Sequence, residues 1–173
     1  MHSHYLETLV KFFPDARVVF THRDPTNVVP SWARLLETFL SWYYKENTLD
    51  RHELGDYVME SLLSCGENVK EFRQKHDPST YIDIDYADLF KQPVETVERI
   101  YNHFGVEVTE DFREKMRQWM RENRQGKYGR AYYTLEDYGQ TDDGVINRFA
   151  WYIKDFLPSM HGKLAEVEQK QKK

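Results

Sequence analysis

The residues best suited to chemistry sit where an apolar run turns abruptly polar. Val18-Val19-Phe20-Thr21-His22 is followed at once by Arg23-Asp24-Pro25. The β-branched and aromatic run predicts a buried strand. Pro25 suits the first position of a helix, where its missing N–H costs nothing. Asp24 suits the N-cap and the positive end of the helix dipole. Arg23 is therefore expected where a buried parallel strand meets a helix, which in open α/β sheets is the ligand crevice. A guanidinium beside a helix N-terminus makes an anion site, and phosphate is its usual guest. Ser31, about two turns into that helix, would add a hydroxyl donor. The competing account pairs Arg23 with Asp24 and leaves Ser31 an ordinary helix residue.

The surrounding pattern supplies elements to hold such a site. Residues 2–13 have a helical period, with Tyr5, Leu9 and Phe13 on one face and Leu6 and Val10 beside them. Residues 25–44 continue as helix, with Pro30 expected to bend it. Arg51 to Lys75 is the longest helical pattern; Val58, Leu62, Cys65, Val69 and Phe72 form its stripe. Residues 80–85 form a second strand. Residues 93–104 are helical with Gly105 as cap, and Thr109 caps the next helix, whose apolar face is Phe112, Met116, Trp119 and Met120. Residues 123–138 carry three basic residues, two glycines and four tyrosines with little periodicity, which reads as a basic loop. Residues 142–157 return to helix. Residues 158–173 are polar and are expected to fray. The chain divides into a partial domain, 1–157, and this tail.

Composition narrows the function classes. The chain has 173 residues, 40% hydrophobic and 31% charged, enough for one domain with a core. A net charge of −5 argues against a general nucleic-acid binder but leaves room for a local basic site. One cysteine, Cys65, cannot form an internal disulfide and reads as a small buried residue. No apolar run is long enough for a membrane helix and no secretory leader is recognisable, so the expected location is cytoplasmic. Asp83 and Asp85, two apart on a strand, share a face as the Asp-x-Asp pair of a metal-dependent glycosyltransferase would. Acids on one exposed strand face are ordinary, however, and no metal site is assigned.

Phe13-Pro14-Asp15-Ala16-Arg17-Val18-Val19-Phe20-Thr21-His22-Arg23-Asp24-Pro25, followed by Ser31, resembles the 3′-phosphate-binding segment of the sulfotransferases. These enzymes use 3′-phosphoadenosine-5′-phosphosulfate (PAPS) and release adenosine 3′,5′-bisphosphate (PAP). The resemblance implies that Arg23 and Ser31 hold the 3′-phosphate. Ile82-Asp83-Ile84-Asp85-Tyr86-Ala87-Asp88-Leu89, leading to Pro93, is similar to the family's second strand and places Tyr86 near the adenine, although Ala87 stands where a glutamate is common. Gly126-Lys127-Tyr128-Gly129, with Tyr133 and Leu135 to Gly139 after it, resembles the late loop that folds over the cofactor. It makes Arg124, Lys127 and Arg130 further cations for the phosphate. The order and spacing of the three segments carry the case.

The implied fold is α/β, a P-loop-NTPase-like sulfotransferase fold, incomplete and mostly helical with a short parallel sheet. No Gly-x-x-x-x-Gly-Lys-Ser/Thr loop occurs in the sequence, so residues for the phosphosulfate end are missing. His2 falls near the family's catalytic-base region, though a surface histidine at a chain end is the plainer account. Three functions follow as expectations. The chain is a truncated PAPS-dependent enzyme acting on a hydroxyl or amine acceptor, inactive alone; or a nucleotide-binding pseudoenzyme; or a helical interaction protein using its aromatic surface. An exposed sheet edge would make it poorly soluble, an oligomer or dependent on a missing N-terminal part.

Overall fold

A computed structural model of the chain describes residues 2–45, 48–123 and 132–172. Its organising unit is a parallel pair, β1 (Val18–His22) and β2 (Tyr81–Asp85), in register from Val18 opposite Tyr81 to His22 opposite Asp85. Parallel strands require a long crossover. Here it is α2 (Pro25–Leu40) and α3 (Arg51–Lys75). Each strand runs straight into a helix opened by an aspartate. Asp24 accepts from Thr26 N at the start of α2, and Asp85 accepts from Ala87 N at the start of α4 (Tyr86–Lys91). The shared register thus sets two strand ends and two helix starts side by side. α1 (Leu6–Phe12) precedes the pair; α5 (Pro93–His103) and α6 (Glu110–Glu122) follow it.

The main core lies away from the strands. Val29 and Ala33 of α2 meet Leu54, Val58 and Met59 of α3. α7 (Asp142–Arg148), α8 (Ala150–Phe156) and α9 (His161–Gln171) add Val145, Ile146, Ile153, Leu164 and Val167. Each such Val, Ile, Leu or Met side chain contributes about 1.5–3 kcal/mol by leaving water. A second cluster, Leu6, Phe20, Val69, Phe72, Tyr81 and Phe156, fastens α1 and the strands to α3. Behind the core, the half-buried Glu37 carboxylate accepts from Tyr138 Oη at 2.9 Å and from Arg51 Nε at 2.8 Å. Burial alone would raise the Glu37 pKa. The bonds from Arg51, Tyr138 and Arg34 outweigh it and hold the carboxyl below its ordinary value. The Tyr138 phenol is pushed up to about 12 by burial and by its bond to Glu37.

Several expectations change. Residues 158–172, expected to fray, carry an ordered helix instead: α9 buries Leu164 and Val167, at 3% and 4% exposure, in the main core. Two apolar residues three apart suffice to dock a helix whose other faces are polar. In α1 the inward residue is Leu6; Tyr5, Leu9 and Phe13 face solvent. Cys65 is half-buried, with Sγ 3.6 Å from His4 Nε2. The pattern over 142–157 is two helices, which meet at Phe149. α6 has the expected cap, Thr109 to Phe112 N, yet Trp119 and Met120 of its apolar face are exposed.

Candidate functional site

Arg23 and Tyr86 each follow the last residue of a strand, so the register of β1 with β2 makes them neighbours. The exposed Arg23 guanidinium lies over the Tyr86 ring, 4.9 Å from its centroid. Together they border a cavity of about 350 Å³, which Asn27, Lys91, Ser159 and Lys163 also line. Among the described residues no carboxylate pairs with Arg23. Its neighbour Asp24 turns elsewhere, with Oδ2 3.0 Å from Lys163 Nζ. The Arg23–Asp24 pairing open in the sequence is therefore not the one adopted.

The helix amides beside Arg23 are already committed. Pro25 has none. Thr26 N donates to Asp24 Oδ1 at 2.9 Å, and Asn27 N and Val28 N donate to the Asp24 carbonyl at 3.0 and 3.1 Å. At α4, Asp85 Oδ1 accepts from Ala87 N at 2.9 Å, and Oδ2 accepts from Ser159 N at 3.2 Å. Each helix start carries its own carboxylate, so an anion here depends on side-chain cations. The Arg23 fork, backed by an aromatic face, is the group present that suits a phosphate oxygen pair.

One residue earlier, the chemistry inverts. His22 is buried and stacks on Phe156, with ring centroids 4.3 Å apart. Its Nε2 lies 2.8 Å from Asp83 Oδ1, and its Nδ1 lies 2.8 Å from Tyr152 Oη. A carboxylate only accepts, so Nε2–H donates to Asp83 Oδ1 and Nδ1 is left to the Tyr152 hydroxyl. The second Asp83 oxygen pairs with Arg73 at 3.0 Å. Burial, with Asp83 and Asp85 nearby, pushes the Tyr152 phenol up, so it holds its proton. His22 and Tyr152 form part of the wall of a second cavity, about 290 Å³ and mostly apolar, which Arg23 also borders.

A sulfotransferase-family model matches residues 1–111, more than half of the chain and across both strands. The chain belongs to the sulfotransferase family. It is 25% identical over 154 residues to omega-hydroxy-beta-dihydromenaquinone-9 sulfotransferase Stf3 of Mycobacterium bovis and of Mycobacterium tuberculosis. That match takes in 87% of this chain and 39% of Stf3, so the chain spans about two-fifths of the curated relatives' length. Among solved structures it is similar to sulfotransferase STF9 of Mycobacterium avium, with TM-score 0.78, 27% identity, and 90% and 40% of the two chains covered. STF1 of Mycobacterium tuberculosis gives TM-score 0.69 at 29% identity, over 87% and 37%. The sulfotransferase fold, here mostly helical with a two-stranded parallel sheet, is the one expected from the sequence.

The residues expected of a sulfotransferase site fall into three groups. Arg23 and Tyr86 are brought together at the strand ends. Ser31 is half-buried in α2 and borders neither of the cavities that Arg23 borders. His2 lies exposed in a short 3-10 turn and lines a surface groove with Tyr5, Leu9, Phe12 and Phe13 that Arg23 does not border. Arg124, Lys127 and Arg130 lie outside the described residues. Asp83 and Asp85 are committed to His22, Arg73 and the α4 cap, and no group of three or more potential metal ligands occurs among the described residues. Missed in the sequence were Tyr152, which is far from His22 along the chain, and Lys163, hidden in a polar tail. No described helix is long and apolar enough to cross a membrane.

Proposed function

We propose that this chain is the 3′-phosphate-reading part of a PAPS-dependent sulfotransferase. The observation carrying the proposal is the Arg23 guanidinium, exposed, without a carboxylate partner among the described residues and backed by Tyr86 at the joint end of two parallel strands. The donor fits there in kind: a bidentate cation for the 3′-phosphate, a ring beside it, and a cavity of about 350 Å³. Ser31, Arg124, Lys127 and Arg130 are assigned to the same phosphate by family resemblance. Bound PAPS would supply the activated sulfuryl group, while the residues of this chain bind and orient its nucleotide end. The groups that stabilise charge on the sulfuryl oxygens and deprotonate the acceptor are assigned to parts of the enzyme other than the Arg23 rim. The name of Stf3, which specifies an omega-hydroxy compound, supports a hydroxyl acceptor over an amine. Cytoplasmic action remains part of the proposal.

Titration calorimetry with PAP and with adenosine 5′-phosphate tests the reading. PAP is expected to bind more tightly, and equal affinity for the two ligands would overturn it. A nucleotide-binding pseudoenzyme would pass the same test. Formation of a sulfated hydroxyl product from PAPS when this chain is joined to a phosphosulfate-binding part would separate the enzyme from that alternative. The third reading, a helical interaction protein, rests on the apolar groove between α5 and α6, where Val94, Val97, Met116 and Trp119 line about 630 Å³.

A further inference from the structure

We propose that Lys163 is a second cation of the Arg23 site, held in reserve by Asp24, and that it gives the site its demand for a dianionic phosphate monoester. The inference rests on the nucleotide reading above and adds the C-terminal helix to it. α9 is not free to wander: Leu164, next to Lys163, and Val167, one turn on, are buried in the main core. The start of α9 is thereby fixed beside the strand ends, and Lys163 borders the same 350 Å³ cavity as Arg23 and Tyr86.

The charges in that cavity explain why a reserve is needed. Arg23, Lys91 and Lys163 face the carboxylates of Asp24 and Asp85 there. Both carboxylates have structural duties. Asp85 binds Ala87 N and Ser159 N, and Asp24 Oδ1 binds Thr26 N and Thr26 Oγ1. Only Asp24 Oδ2 spends itself on a mobile partner, Lys163 Nζ at 3.0 Å. That pair is solvated, with the lysine side chain 59% exposed, so it holds weakly. An ammonium on a four-carbon stem can leave one oxygen for another with little backbone change. An arriving dianion competes for Lys163 better than a single carboxylate oxygen can, because it carries twice the charge and offers three oxygens. The Asp24 cap on α2 survives the exchange, since its other oxygen makes that bond.

Calorimetry on the full chain with PAP and adenosine 5′-phosphate reads the effect. Lys163→Met is expected to lower PAP affinity about tenfold, the loss typical of one charged hydrogen bond, and to leave adenosine 5′-phosphate within about twofold. Lys163→Arg should keep most of the PAP affinity. Asp24→Asn, which preserves a good N-cap, should raise PAP affinity, and that gain should vanish in the Asp24→Asn/Lys163→Met double variant. Should Lys163→Met melt early, the Arg and Asn variants still decide. A 3′-phosphate preference that survives Lys163→Met undiminished, or an Asp24→Asn gain that persists without Lys163, overturns this inference and leaves the nucleotide reading standing. No preference in the unaltered chain overturns both.

Discussion

His22 and Arg23 are adjacent in sequence and opposite in circumstance. His22 is 3% exposed, with both ring nitrogens and one ring face engaged. Arg23 is exposed, and its guanidinium lies over the Tyr86 face. Strand alternation alone would put consecutive side chains on opposite faces. The end of the strand adds a second difference: below it the inward side chains Phe20 and His22 are buried against Phe72 of α3 and Phe156 of α8, and above it side chains meet the cavity. A basic-looking pair thus divides its labour. The histidine ties β1 to β2 and α8, and the arginine lies exposed over the Tyr86 ring, where the proposal gives it a ligand. Buried polar groups with all partners satisfied hold structure, whereas an unpaired cation on a concave rim is available to an anion.

Variants of the two residues should therefore fail in different assays. The largest effect is expected for His22→Ala: a loss of about 3 kcal/mol of stability in urea denaturation, from the cavity and from the Tyr152 hydroxyl and Asp83 Oδ1 left without their His22 partner. The fraction that stays folded should still prefer PAP over adenosine 5′-phosphate, and loss of that preference would break the division. Arg23→Ala should cost about 1.5–3 kcal/mol of PAP affinity and at most about 0.5 kcal/mol of stability. Arg23→Lys should restore only part of the affinity, since an ammonium lacks the fork. An equal loss for adenosine 5′-phosphate would mean that Arg23 does not read the 3′ group. Ser31→Ala is the smallest, roughly 0.5–1.5 kcal/mol of PAP affinity, as for one neutral donor. No change there would confine the rim to Arg23 and its immediate neighbours.

The parts legible in the sequence are those fixed by neighbours along the chain. The Asp24–Pro25 start of α2, the span Arg51–Lys75 and the Thr109 cap are local chemistry, and the structure has them as read. Arg23 and Tyr86 were each findable at a strand end, but the register of the strands, which joins them, was not. Tyr152 looked like one more aromatic in a helix 130 residues from His22. α9 was misread because Leu164 and Val167 are too few to make a periodic stripe; their burial depends on a groove that α7 and α8 create. Solvent-facing Trp119 shows the converse, since an apolar face on a helix predicts a partner without supplying one.

The docking of α9 also has a consequence for how the chain matures on the ribosome. Val29 and Val58 belong to the same core as Leu164 and Val167 but are synthesised more than a hundred residues earlier. Until the α9 stretch clears the exit tunnel, the nascent core stays open on one side with apolar surface exposed, the condition in which aggregation and chaperone capture compete with folding. Lys163 reaches the rim in that same late step. If the rim reads a nucleotide as proposed, that site is finished only when the core is sealed, so a half-made chain would offer the nucleotide an incomplete grip.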